Sequence, residues 1–232
     1  MTNLLLHAYR SVKLAARIDT RRAGGQPATV GRPSNTQERR AQIVDALLST
    51  MAREGYERAT VAAVAREAAL TPGLLHYHFA TKREILIALI ERLAAGLEER
   101  LTRRLALAGD DAPARLFACI DAHVAQGRDA DPRAVAAWIV VAAEAVRDSE
   151  VRALYTDAIV ASLGRLRAMV LECLRAQGRV TRNAGKIAAA LLSAIEGAYL
   201  LGTAAPGTLP EGFAAPTIRR MAEGLLVAEP RA

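Results

Sequence analysis

Apolar residues recur every three or four positions along most of the chain after Asn35. In "NTQERRAQIVDALLSTMAREG" they are Ile43, Val44, Leu47, Leu48 and Met51, one face of a helix. Asn35 stands ahead as a capping residue, Glu38 lies in the first turn, and Gly55 ends the run as a C-terminal cap would. "TVAAVAREA" follows, with Thr60 as cap and Val61, Val64 and Ala65 on one side. Thr71-Pro72 opens a third, short helix with proline at its favoured first position. "TKREILIALIERLAAGLEERLTRRL" reads as one long helix from Thr81 to about Leu107. Further helices are predicted over 112–127, 132–147, 150–177, 181–204 and 215–228. Breaks fall at 109–111, 129–132, Gly178 and 205–212. No strand-length alternation and no repeat interrupts this pattern. The expected architecture is all-α, about nine helices. Residues 1–34 read as an extension, with a short amphipathic stretch over 4–18 and the loop-like run "RRAGGQPATVGRPS".

Composition narrows the setting. The chain has 232 residues, room for one large domain or two small ones. No stretch approaches the roughly 20 apolar residues of a membrane span, and "NLLLHAYR" is too short for a secretory core. A cytoplasmic location and no membrane partner are therefore expected. Cys119 and Cys173 lie far apart without a C-x-x-C pattern and read as reduced, buried thiols.

Charge is uneven. The net charge is +7; residues 1–40 carry eight Arg/Lys against two Asp/Glu, while residues 105–232 carry fourteen of each. An excess confined to one end fits either a polyanionic partner there or a solvated basic tail.

The stretch "TPGLLHYHFATK", residues 71–82, concentrates the unusual chemistry. His76 and His78 are two apart, about 200° around a helix, so they cannot hold one ion together. No Ser or Cys with a partnered base stands nearby, and no paired carboxylates, metal set or nucleotide loop occurs; no catalytic residue, metal or cofactor is expected. On a helical wheel Leu75 and Phe79 fall together with Pro72 beside them and pack inward. Gly73, Leu74, His76 and Tyr77 spread over the other side. Thr71 caps a helix whose N-terminal amides favour anions, and Lys82 opens the next helix. Neutral His and Tyr donate to phosphate oxygens, and Leu74 suits a thymine methyl. Two short helices joined by a tight turn make a helix-turn-helix. A surface hairpin whose aromatics form local core fits the same spacing.

"TVAAVAREAALTPGLLHYHFATKREILIAL" resembles the signature of TetR-family transcriptional regulators, a family pattern that runs from a capped Thr-x-x-x-Ile/Val-Ala through a turn to Gly-x-Leu-Tyr-x-His-Phe and then Lys-x-x-Leu. The resemblance spans roughly residues 36–90. It implies a three-helix DNA-binding domain over 35–80, joined through the fourth helix to a ligand-binding and dimerisation domain over 81–232. By position, Thr60, Thr71, Gly73, Leu74, His76, Tyr77, His78 and Lys82 correspond to residues that meet operator DNA in relatives. Two departures stand out. Ala69 occupies the usual turn glycine, at a cost of about 1 kcal/mol if that backbone needs positive φ. His76 replaces a usual tyrosine and has shorter reach. Arg32, within "GRP", suits entry into a narrow minor groove or ordinary linker chemistry.

The second half is apolar and electrically balanced. "PRAVAAWIVVAAEAVRDSEVRALY" and "AALLSAIEGAYLLG" are similar to the C-terminal domain of the BetI-like branch of that family. Trp138, Glu144, Tyr155, Glu196 and Tyr199 are candidate pocket residues. Glu196 interrupts a long apolar helix and needs a partner. That partner is either a cationic ligand, met together with Trp138, or an internal hydrogen bond. Cys119 and His123 are four apart, half of a metal site, and without further ligands read as packing. The last two helices carry Ala190, Ser193, Ala194, Gly197, Ile218, Met221 and Leu225, which the resemblance assigns to a four-helix homodimer interface. Two-fold pairing doubles the contacts of a short reading helix on a palindromic operator. The resulting expectation is a homodimeric repressor released from double-stranded DNA by a small-molecule effector. An activator or a ligand-independent regulator is the same-class rival; an all-α enzyme or a helical scaffold is the rival of another class.

Overall fold

The computed structural model describes residues 35–124 and 131–232. The extension 1–34, with the stretch at 4–18 and Arg32, and the end of the helix expected over 112–127 lie outside them. Among the described residues every regular element is a helix: α1 Asn35–Arg58, α2 Val61–Glu67, α3 Pro72–His78, α4 Lys82–Ala108, α5 Ala112–Val124, α6 Pro132–Ala145, α7 Ser149–Ala176, α8 Ala184–Ala204 and α9 Ala214–Ala228. A lone bridge ties Arg179 to Arg231.

Hydroxyl caps set the starts at the N-terminal end. Thr60, Thr71 and Thr81 each accept a backbone N–H three residues on, from Ala63 (3.2 Å), Leu74 (3.3 Å) and Glu84 (3.2 Å). Each removes one of the unpaired donors of a helix start. Gly55 breaks α1 as expected: its φ of 77° and ψ of 167° are non-helical, and one further turn follows to Arg58. The α2–α3 turn explains the alanine that replaces glycine. Ala69 has φ of 52°, in the left-handed region. The Leu70 N–H donates to the Ala65 carbonyl (2.9 Å) and the Ala69 N–H to that of Arg66 (3.1 Å), the two bonds of a Schellman ending. Gln42 of α1 donates to the Ala68 carbonyl at 2.6 Å and pins this turn from the other side.

Two buried clusters organise the chain. The first gathers Ile43, Leu47, Leu48 and Met51 of α1, Val64 of α2, Leu75 of α3, Phe79, and Ile85, Leu86 and Leu89 of α4. Ala137, Val141 and Ala145 of α6 and Val151 of α7 belong to it too. The second joins Leu101 of α4 to α5, the rest of α7, α8 and α9, around Leu116, Ile120, Leu166, Val170, Leu191 and Ile195. α4 and α7 run through both. Both cysteines are free and buried; burial pushes the Cys119 thiol up to about 12 and that of Cys173 to about 11, so both stay protonated.

Three sequence expectations need correction. Pro72 is exposed, not packed inward: Leu75 and Phe79 alone fill the inner face of α3, and the proline sits on the first turn above that seam. Ile218 is buried inside its own subunit, 2% exposed, and is unavailable to a partner. One helix does reach the length and apolarity of a span: α8 has 21 residues and a mean hydropathy of 1.5 over its most apolar window. Glu196 interrupts the run, but one acid among so many Ala and Leu leaves the average high. α8 sends Ile187, Ala188, Leu191, Leu192 and Ile195 into the second core and leaves Leu200 and Leu201 half exposed.

A glycine at position 69 fits its left-handed backbone without the Cβ penalty. Ala69→Gly is expected to raise unfolding free energy by roughly 1 kcal/mol, read as a higher urea midpoint at unchanged slope. A lower midpoint would show that the turn relaxes to negative φ in solution.

Candidate nucleic-acid interface and effector pocket

α3 has seven residues, too few to persist alone. Leu75 (0% exposed) and Phe79 (1%) seat it in the first core. Its opposite face is open. Thr71, Gly73, Leu74 and His76 are exposed, and Tyr77 is 79% exposed although it is a large aromatic. The rings of Tyr77 and His78 meet edge-on, with centroids 5.1 Å apart at 83°. His78 is half-buried. Thr60 is exposed at the start of α2. A methyl group added at Gly73 would meet nothing within 4 Å. The fold therefore has no steric need for glycine there, and its backbone is not left-handed.

Lys82 is less free. Its ammonium donates to the Tyr56 carbonyl at 2.9 Å and lies 4.0 Å from the centre of the Tyr56 ring, a cation–π contact. Two of its three N–H donors are left for another acceptor. Sequence reasoning missed three arginines whose contacts tie α1, α3 and α4 to distant segments. Arg40 of α1 donates to the His78 carbonyl at the end of α3. Arg83 of α4 pairs with Asp148 (2.7 Å) and Glu150 (2.8 Å) at the α6–α7 corner. Arg133, at the start of α6, donates to Ser49 of α1 at 3.0 Å and to Asp131.

Of the five predicted pocket residues, the structure joins three directly and a fourth nearby. The Trp138 indole N–H of α6 donates to the Glu196 carboxylate of α8, at 3.2 and 3.4 Å. The Tyr155 ring of α7 stacks on Trp138 at 4.9 Å, tilted by 37°. Burial raises the Glu196 carboxyl above its ordinary range, and the Trp138 bond opposes this only in part. The Tyr155 phenol is raised by burial and then by the Glu196 charge. Tyr199, one turn beyond Glu196, donates to the His123 carbonyl at the end of α5. Burial is also the main cause of its raised phenol, with Glu196 adding to it. Glu144 is half-buried on α6, and its charge, after burial, raises the Tyr56 phenol. At six residues from Trp138 it lies far around α6 from the indole. His123 is held neutral mainly by burial, and its Nδ1 faces the Cys119 carbonyl at 2.9 Å. Cys119 and His123 gather no further ligands: among the described residues no three metal-ligating side chains cluster.

Comparison with known proteins agrees with this layout. Residues 43–89 match the family model for bacterial regulatory proteins of the tetR family, and residues 112–227 that for the C-terminal part of BetI-type transcriptional repressors. The chain is 33% identical over 162 residues to the HTH-type transcriptional regulator BetI of Rhizobium meliloti, covering 70% of this chain and 76% of that protein. It is 31% identical over 163 residues to BetI of Agrobacterium fabrum, covering 70% and 75%. A Saccharomonospora viridis protein, solved in complex with choline, superposes with a TM-score of 0.70 at 20% identity, over 84% of this chain and all of that one. A transcriptional regulator from Rhodococcus sp. Rha1 superposes with a TM-score of 0.71 at 22% identity, over 83% and 98%. At these identities the two structures show the shared fold.

The Glu196 environment sets a pH dependence. A carboxyl whose folded pKa is raised contributes most stability below its unfolded value, about 4.3, and loses that contribution as pH rises through the folded value. Glu196→Gln removes the ionisation while keeping an acceptor for Trp138. Its melting temperature is expected to gain on the wild type as pH rises from 4 to 8. A difference flat across that range would mean Glu196 ionises as it does in the unfolded chain.

Proposed function

The chain belongs to the tetR family of bacterial regulatory proteins, with a BetI-type C-terminal half, and from that premise we propose a homodimeric, cytoplasmic repressor that leaves its operator when an organic cation binds. It is a DNA-binding transcriptional regulator and not an enzyme. The observation that carries the DNA-reading part of the proposal is the outer face of α3. Gly73, Leu74, His76 and Tyr77 stand in solvent while two inner residues anchor the helix. Gly73 lets a surface approach closely, Tyr77 and His76 offer ring donors, and Leu74 offers an apolar contact to a thymine methyl. Thr60, Thr71, His78 and the two remaining donors of Lys82 would lie along the phosphates. We assign 35–80 to this reading unit, the basic extension with Arg32 to a supporting role at the DNA, and 81–232 to effector binding and pairing.

The proposed effector site is the Trp138–Tyr155–Glu196 group, with Tyr199 below it. Two stacked aromatic faces and a half-buried carboxylate suit a cation that is poorly hydrated, such as a quaternary ammonium. Choline in the Saccharomonospora viridis protein supports the same class here. Glu144 is left out, since it lies far around α6 from the indole. α6 supplies the route to the DNA. Trp138 sits midway along it; Arg133 near its start holds α1, and the corner after its end holds Arg83 of α4. A cation that shifts Trp138 acts on both clamps. The coupling equals its differential affinity for the DNA-competent and released conformers. Pairing is assigned to the open face of α8 and α9, where Ala190, Ser193, Leu200, Leu201, Met221 and Val227 are exposed. A small-residue and apolar strip of this kind is what a symmetric partner covers.

Gly73→Ala separates folding from recognition. The methyl group has open space and alanine favours helix by up to about 1 kcal/mol, so thermal stability is expected to hold or rise. Affinity for duplex selected from a random pool is expected to fall at least tenfold by fluorescence anisotropy. Unchanged affinity would remove α3 from the interface. For the effector, choline and tetramethylammonium are the probes. Either is expected to release wild-type protein from its duplex, and Trp138→Ala to require roughly 30-fold more, the equivalent of a desolvated cation–π contact of about 2 kcal/mol. Release by neither probe, or equal release of the variant, would refute the cation site.

A further inference from the structure

The end of the reading helix is held by a residue outside the helix-turn-helix. The last carbonyls of any helix lack internal partners, and α3 has only two turns in which to distribute that deficit. Arg40, on the second turn of α1, donates through Nη1 to the carbonyl of His78, the last residue of α3, 38 positions away in sequence. The same guanidinium lies 3.9 Å from the centre of the Phe79 ring. That ring is itself buried, 1% exposed, and Phe79 is where the backbone turns extended (φ −141°, ψ 119°) and leaves the helix. One planar group therefore closes the terminal carbonyl and covers the aromatic anchor at once. His76, Tyr77 and His78 all lie in the turn so fixed. α1 treats α2 in the same way, through Gln42 at the Ala68 carbonyl.

We propose that Arg40 is a positioning residue for DNA reading: it fixes the C-terminal turn of α3, and with it the aim of His76 and Tyr77, without binding phosphate itself. The proposal rests on α3 being the element that meets DNA. Its chemistry is particular to arginine. The hydrogen bond engages one arm of the fork while the flat face stacks on Phe79, and a cation at a helix C-terminus is favoured by the dipole. Lysine keeps the charge but supplies neither the fork nor the face.

The test compares wild type, Arg40→Leu, Arg40→Lys and Tyr77→Ala. Binding is measured by anisotropy on a duplex selected from a random pool and on a scrambled duplex, between 50 and 200 mM salt, with circular dichroism as the check on folding. Both Arg40 variants are expected to bind the selected duplex roughly tenfold more weakly, the loss of about one charge-assisted hydrogen bond. The scrambled duplex and the salt dependence are expected to stay as in wild type. Full affinity for Arg40→Lys, with a salt slope shallower by about 0.9 for Arg40→Leu, would make Arg40 a phosphate contact and overturn the proposal. So would wild-type behaviour of both. Should Arg40→Leu fail to fold, Arg40→Lys carries the same comparison. If Tyr77→Ala also binds as wild type, the failure belongs to α3 as the reading element; if Tyr77→Ala is defective while the Arg40 variants are not, it belongs to Arg40 alone.

Discussion

Leu75 and Phe79 are what make a seven-residue helix possible. A segment this short has no stability of its own, so α3 exists only because two of its side chains are removed from water in a core built largely by α1 and α4. The remaining positions are thereby free to be polar, small or exposed without cost to the fold. Tyr77 can stand almost entirely in solvent, and Gly73 can forgo a side chain, because neither is asked to hold the helix. Surface chemistry on α3 is thus decoupled from folding, which suits an element whose contacts are made with another molecule.

The same core reaches past the first four helices. Ala137, Val141 and Ala145 of α6 are buried in it with Leu47 and Leu89, so no clean seam parts the N-terminal helices from the rest. α6 is small-residue-rich on that side and presents Trp138 beyond it, to Glu196 and Tyr155. A hydrogen bond from Arg133 to Ser49 at one end, and the Arg83–Asp148 ion pair just past the other, tie it to α1 and α4. Exposed pairs of this kind contribute little stability each. Their effect is geometric: they give α6 defined attachment points on α1 and α4.

α8 shows how one helix can serve three demands. Its length and hydropathy would suit a membrane, its inner face fills the second core, and Glu196 and Tyr199 face the neighbouring helices with polar groups. The carboxyl raised by burial marks where that helix departs from pure packing. A half-buried acid whose hydrogen-bond donor among the described residues is an indole N–H is incompletely compensated.

Much of this was legible in the residue order. Helical spacing located all nine described helices, with ends off by a few residues at most, because capping threonines, Pro72 and the glycines act locally. The inward pair Leu75 and Phe79, the outward Tyr77 and the left-handed demand on Ala69 also follow from local geometry and from the resemblance in residues 36–90. What only the tertiary structure decided were the contacts between segments far apart in the chain. Lys82 resting on the Tyr56 ring, Ile218 buried rather than shared, and Arg40 closing the end of α3 all depend on how helices cross. Periodicity gives the face of a helix but not the neighbour that face will find, since the neighbour is chosen by packing the whole set at once.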